Sequence, residues 1–192
     1  HVDKLNTIAF NIHVHGPGVK KWWLVHPDDK RKLENLIAAR GGHLHNDNFW
    51  CDPKDLQNSG MRVWTVDQRE GDLVIVPPGV PHQVLNLGGL SMAVAANVMN
   101  EHTIELNWEM DKNYRRLRVE SVYRLKTIVY CGIVEELAIA RASLANKHSP
   151  LRSPLKLQRL CRVFEHVVEE EVIELNGEED KVAVQCTDEV PH

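Results

Sequence analysis

The chain has 192 residues, a net charge of −4 and a hydrophobic fraction of 43%. That is enough for one globular domain with an appendage, and it offers no basic face for direct nucleic-acid binding. No apolar run approaches the ~18–20 residues needed to span a bilayer. The four cysteines, Cys51, Cys131, Cys161 and Cys186, form no CxxC pair and read as free thiols in a reducing compartment.

In chain order, residues 5–14 are rich in β-favouring residues and predict a strand, and His15-Gly16-Pro17-Gly18 is a turn signal. Lys20 to Val25 predicts a second strand, taken as the hairpin partner of the first. Asp28 or Asp29 can cap a helix whose apolar face is Leu33, Leu36 and Ile37, with Gly41-Gly42 as its stop. A polar loop follows, then a short helix at 53–57 with Asp52 as N-cap and Pro53 at its first position. Met61 to Val66 alternates as a strand, residues 70–86 supply two more, and Leu90 to Met99 supplies the last.

Past Asn100 the pattern turns helical. The sequence predicts a short helix over 101–108 capped by Asn100. A helical stripe follows at Val122, Leu125, Val129, Ile133 and Leu137 within 118–146, and Ser149-Pro150 with Ser153-Pro154 marks a loop. A helix over 154–175 carries Leu157, Leu160, Phe164, Val167, Val168 and Val172 on one side and is ended by Asn176-Gly177, with a short strand at 182–184 in a polar tail. The acidic runs 169–171 and 178–180 read as solvated surface. The chain therefore divides into 1–110, mainly β, and 111–192, helical. It begins at His1 inside what reads as a motif, and a fragment of a longer protein is expected.

The stretch EGDLVIVPPGVPHQVLN, residues 70–86, carries the chemistry. Two prolines and a glycine break a short strand, and Pro81 then stiffens the chain immediately before His82. Proline fixes φ and restricts its predecessor, so the aim of His82 is set by backbone. About 80 residues upstream, His1-Val2-Asp3 precedes the first strand. Residues i and i+2 of an extended segment point the same way, so His1 and Asp3 can face one interior. Two histidines and one carboxylate form the facial set used by non-haem Fe(II) oxygenases, which leaves open positions on one side of the metal. A lysine in such a pocket would need an anion to offset its burial. Lys20 or Lys21 could be that lysine, with Asn11 on the neighbouring strand.

These residues together resemble the catalytic half of a Jumonji C (JmjC) domain: His1-Val2-Asp3, Asn11, Lys20 followed by Trp22, the 70–86 run and Asn97. The resemblance implies a double-stranded β-helix, a cupin-like jelly roll, N-terminally truncated and followed by a helical segment. It implies Fe(2+) held by His1, Asp3 and His82, and 2-oxoglutarate as cosubstrate with O2. Lys20 would pair with the distal carboxylate of 2-oxoglutarate, with Lys21 as the alternative. Asn11 would stand close by, and Asn86 and Asn97 would line or support the pocket. The implied activity is oxidative demethylation of methyl-lysine on histone peptides in the nucleus, with chromatin reached indirectly through that substrate. Hydroxylation of another protein side chain and a non-catalytic chromatin scaffold are the alternatives. A zinc site at His43, His45 and Cys51 is not expected, because that stretch reads as an exposed polar loop. The five tryptophans read as core or sheet packing.

Overall fold

The computed structural model describes residues 1–45, 49–117, 121–145 and 154–187, which form two compact units, His1–Met110 and Asp111–His192. Among the described residues the first unit contains six strands: β1 Ile8–His15, β2 Val19–Val25, β3 Val63–Gln68, β4 Leu73–Val76, β5 His82–Leu87 and β6 Met92–Val98. They form two antiparallel sheets of three strands, ordered β4-β1-β6 and β3-β2-β5.

The β1–β2 hairpin expected from sequence does not form. β1 is the central strand of one sheet and β2 the central strand of the other. Both are flanked on each side, and only a tight connection from one sheet to the other can join two such strands. Gly16 makes it, with φ +115, and a Cβ there would lie 2.3 Å from the Leu90 carbonyl oxygen. Gly18 N–H donates to that same carbonyl at 2.9 Å, so the crossing chain rests on the β5–β6 turn.

β2 is buried on both faces, and its alternation sorts two cores. Trp22 and Leu24 pack between the sheets with Val74, Val76 and Val80. Trp23 and Val25 face the other way, into a layer with Val2, Leu33, Ile37, Leu44, Cys51, Leu56 and Met61. That outer layer is roofed by helices α1 (Lys30–Ala38) and α2 (Pro53–Asn58), and the Asp52 side chain accepts from the Lys54 N–H at α2's start. A fully buried aliphatic or aromatic side chain contributes roughly 1.5–3 kcal/mol, so the paired tryptophans at 22 and 23 are major terms in both cores.

The stretch expected to be an exposed polar loop is anchored instead. Leu44 and Cys51 are buried, and the Gln83 side chain exchanges hydrogen bonds with the Cys51 backbone, accepting from N–H at 3.1 Å and donating to the carbonyl at 2.8 Å. Trp22, Trp23 and Trp108 are core residues, whereas Trp50 and Trp64 are about half exposed.

The helical part departs from expectation in length. Asn100 Oδ1 accepts from the His102 and Thr103 N–H groups, as a cap should, but helix α3 then runs Ile104–Leu117 rather than ending at 108. Helix α4 spans Leu125–Ala145 and buries Leu125 and Val129; Val122 and Leu137, expected on the same stripe, are exposed. Helix α5 spans Pro154–Thr187 and buries Leu160, Val163 and Val167. It continues through Asn176-Gly177 and over 182–184, where a stop and a strand were expected. A helical glycine costs only about 1 kcal/mol, so on its own it lowers helix stability without terminating the helix. The loop expected around Ser149-Pro150 lies outside the described residues. Cys51, Cys131 and Cys161 are free thiols. No helix among the described residues is long and apolar enough to cross a membrane.

The crossover predicts a sharp substitution effect. Gly16→Ala meets both a left-handed φ and a backbone clash. It should destabilise the domain by roughly 2 kcal/mol or more, read as a lowered urea midpoint at unchanged m-value.

Candidate metal centre

His82 opens β5 opposite Leu24 of β2, on the face turned to the inter-sheet core. Its approach is the corner Pro77–Pro81: Gly79 takes φ 73, Val80 is buried, and the Pro81 carbonyl accepts from the Val25 N–H at 2.8 Å. The side chain is nearly enclosed, and its Nδ1 lies 3.0 Å from the Val80 carbonyl oxygen. That contact makes Nδ1 the protonated nitrogen and leaves Nε2 as the lone-pair donor pointing into the site.

The His1–Asp3 segment lies along the edge of β5. The His1 nitrogen donates to the His82 carbonyl and the His82 N–H donates to the His1 carbonyl, each at 2.9 Å. This mutual pair is the hydrogen-bonded pairing of antiparallel strands. Val2 is buried in the outer layer with Trp23, and His1 and Asp3 take the opposite side, as alternation requires.

The result is one cluster of three donors. His1 Nε2 is 3.1 Å from His82 Nε2, and Asp3 Oδ2 is 3.8 Å from His82 Nε2. Ligand atoms of all three residues lie within 4.8 Å of one another, the one such group among the described residues. Neighbouring ligands at right angles on an ion with ~2.1 Å bonds stand about 3 Å apart, which the two imidazole nitrogens match. Asp3 provides a second indication. Asn97 Nδ2 donates to its Oδ1 at 3.1 Å and to Thr7 Oγ1 at 2.7 Å. Asp3 Oδ2 is buried and accepts no hydrogen bond. A buried carboxylate oxygen in that condition is costly unless a cation meets it. Two imidazoles and a carboxylate, with no thiolate, suit Fe(II).

Further along the same inner face stands a polar group. Lys20 sits opposite Asn86 of β5 and Gln68 of β3. Its ammonium donates to Asn11 Oδ1 at 3.1 Å, and burial pulls its pKa down from the ordinary value. Lys21 points to the outer face, where it pairs with Asp67 at 3.3 Å. The geometry therefore separates the two lysines that the sequence left open. Asn86 is exposed on the same face as Lys20, and Asn97 reaches Asp3 rather than Lys20.

One residue in this neighbourhood, Gln68, carried no sequence signal. Gln68, fully buried, accepts from Trp22 Nε1 at 2.9 Å and donates to the carbonyls of Asn11 (2.7 Å) and Asp72 (3.1 Å). It joins the two sheets at the level of Lys20. His13 is also fully buried, with Nε2 between the His15 carbonyl and Ser91 Oγ, while His15 is exposed near Glu70. His43, His45 and Cys51 do not gather as a metal-binding group. His45 is pushed down to about 4 by burial first, then by the nearby positive groups, and burial raises the Cys51 thiol.

These features define a class: a double antiparallel sheet that gathers two histidines and an aspartate at one end of its interior, with a lysine further along the same face. Residues 1–98 match the family described as JmjC domain, hydroxylase, and the chain belongs to that family. The fold is accordingly the cupin-like jelly roll, and the family is one of Fe(II)- and 2-oxoglutarate-dependent oxygenases. Among curated relatives, the chain is 28% identical over 134 residues to C-module-binding factor A of Dictyostelium discoideum, covering 68% of this chain and 13% of that protein. It is 31% identical over 113 residues to the 2-oxoglutarate and iron-dependent oxygenase JMJD4 homolog of Drosophila melanogaster, covering 59% and 24%. It is 26% identical over 145 residues to lysine-specific demethylase 3A-A of Xenopus laevis, covering 65% and 11%. The chain thus spans a quarter or less of each of these relatives.

The Nδ1 contact of His82 predicts its tautomer. In the metal-free protein at neutral pH, long-range proton–nitrogen spectra should show His82 protonated at Nδ1. Signals of an Nε2–H ring would contradict the arrangement that points Nε2 into the site.

Proposed function

We propose that His1, Asp3 and His82 hold Fe(II), that Lys20 binds 2-oxoglutarate, and that the protein demethylates methyl-lysine on histone peptides in the nucleus. The observation that carries this reading is the shared convergence point of His1 Nε2, His82 Nε2 and the hydrogen-bond-free Asp3 Oδ2. When bound, Fe(II) supplies oxidation of a substrate C–H to C–OH by O2, coupled to conversion of 2-oxoglutarate to succinate and CO2.

The chain's own residues do the positioning. Asn97 occupies Asp3 Oδ1 and so presents Oδ2 to the ion. The Val80 carbonyl holds the His82 ring by its far nitrogen. Lys20 offers a partly buried ammonium, which an anionic carboxylate would satisfy through a charge-assisted hydrogen bond. With Asn11 Oδ1 already turned to Lys20, the amide N–H groups of Asn11 are its remaining donors for the same carboxylate. Hydroxylation of an N-methyl group gives a hemiaminal, which breaks its C–N bond to release formaldehyde and the demethylated amine.

The name lysine-specific demethylase, borne by several relatives, supports the methyl-lysine substrate. The family description as hydroxylase and the relative named only as an oxygenase favour a second reading, hydroxylation of another protein side chain. Incubating the full-length protein with Fe(II), 2-oxoglutarate and a methylated histone peptide separates the two. Succinate with formaldehyde and loss of the methyl group supports demethylation. Succinate with a stable gain of one oxygen supports hydroxylation. No succinate from iron-loaded protein with either kind of peptide would overturn both.

The lysine assignment is tested separately. Lys20→Met should raise the KM for 2-oxoglutarate roughly 10–100-fold, the worth of a charge-assisted bond of about 1.5–3 kcal/mol, while leaving metal affinity unchanged. Lys21→Met should leave KM near the parent value, because Lys21 faces Asp67 on the other side of β2.

A further inference from the structure

Between the His1–Asp3 segment and β1 the chain makes an unusual turn. Lys4–Asn6 is a single 3-10 turn in which Leu5 has φ 56, ψ 24 and Asn6 has φ 52. These are the two non-glycine residues with positive φ among the described residues. The left-handed region is uncommon for any side chain other than Asn, Asp or His, and a leucine there is out of place on local grounds. Leu5 is moreover completely buried. Such a conformation persists only where surrounding structure over-determines it, and it tends to occur where geometry matters for function.

The turn has a topological task. His1 pairs through its backbone with His82 of the β3-β2-β5 sheet, whereas β1 is the centre of the other sheet. Residues 4–6 are the corner at which the chain changes sheets. The direction in which Asp3 and His1 leave that corner sets whether they reach His82.

One side chain fastens the corner. Asn107 of α3 is fully buried, and its Nδ2 donates to the Leu5 carbonyl at 2.6 Å and to the Asn6 carbonyl at 3.2 Å. Those are the carbonyls of the two left-handed residues. Its Oδ1 is buried and accepts no hydrogen bond. A buried amide that leaves its acceptor unsatisfied while spending its donors on one turn is placed there for the donors. Asn6 Nδ2 reaches back to the Leu106 carbonyl at 3.5 Å, so turn and helix hold each other. On the near side, the Thr7 hydroxyl donates to the Lys4 carbonyl and accepts from Asn97, the residue that holds Asp3.

We infer that Asn107 is a positioning residue: it locks the left-handed Leu5–Asn6 corner and thereby sets the register of the His1–Asp3 segment against His82. Where the segment's role as metal ligand is concerned, this rests on the function proposed above. The clamp itself does not, since it acts on backbone geometry that exists without the ion. It also gives helix α3, which follows the last strand, a direct mechanical hold on the opening of the chain.

The test compares two amides in the metal-free protein by hydrogen exchange. The His82 N–H reports the pairing with His1, and the Val25 N–H, bonded to the Pro81 carbonyl, reports the sheet beside it. Asn107→Ala should lower protection at His82 at least ~10-fold more than at Val25, as expected for local rather than global opening. It should also weaken binding of Co(II), used as the metal probe, by roughly 10–100-fold, the usual scale for loss of an outer-shell support. Adding Asn6→Gly, which adopts positive φ without steric cost, should restore part of both losses. Equal loss of protection at His82 and Val25 would make Asn107 a general stability residue and overturn the inference, as would unchanged protection at His82. If the parent chain binds no Co(II), the metal reading fails, and the exchange comparison still decides the clamp.

Discussion

Two backbone hydrogen bonds between His1 and His82 organise everything else in the site. They are made by groups 81 positions apart, and they bring one imidazole beside another. Each ring is then set by its own surroundings: His82 by the Val80 carbonyl and the Trp22 face 5.8 Å away, and His1 by its edge-on contact with His82. Asp3 follows because it is two residues on in an extended segment, and its carboxylate is oriented by Asn97, which is itself held by Thr7 Oγ1. A donor set built in this way is preorganised by main chain first and by side chains second, which is why its precision depends on corners and crossovers some distance from the donors.

The constraint explains the division of labour in β2. Its two faces support two different cores, and both bear on the site. Trp22 and Leu24 fill the space between the sheets under His82, and Trp23 and Val25 hold the outer layer that buries Val2. Val2 lies between the two prospective ligands and is packed in the layer roofed by the outer helices, which ties that layer to the placement of His1 and Asp3. Lys20, one position before the tryptophan pair, inherits the inner face by the same alternation that sends Lys21 outward to Asp67. Gln68 then ties the sheets together at that depth by bonding Trp22 on one side and the Asn11 and Asp72 carbonyls on the other.

Much of this was legible in the chain. The corner before His82 could be read because prolines and a glycine restrict backbone locally, and the α2 start could be read because Asp52 followed by Pro53 satisfies helix-end chemistry locally. The His1/Asp3 parity needed only the period of an extended segment. Strand partners were another matter. β1 and β2 follow one another across a glycine-rich turn and read as a hairpin, yet each is the centre of a different sheet. Nothing local distinguishes a hairpin turn from a crossover when both use glycine and proline. The helix ends were misread for the opposite reason: Gly177 is a weak local signal, and the helix that contains it continues.

Gln68, Thr7 and Asn107 mark the limit more sharply. Each is a small polar residue of a kind that sequence reading assigns to surface or turn. Their roles come from burial against carbonyls and carboxylates far away in the chain, 102 positions in the case of Asn107 and Leu5. By itself, the sequence determined which strand face each candidate donor takes and where the chain bends, because those follow from proline, glycine and the two-residue period. The tertiary structure alone decided which strands pair, which lysine faces inward and how a left-handed corner is held. Backbone hydrogen bonds are chemically identical from strand to strand, and only packing selects among them.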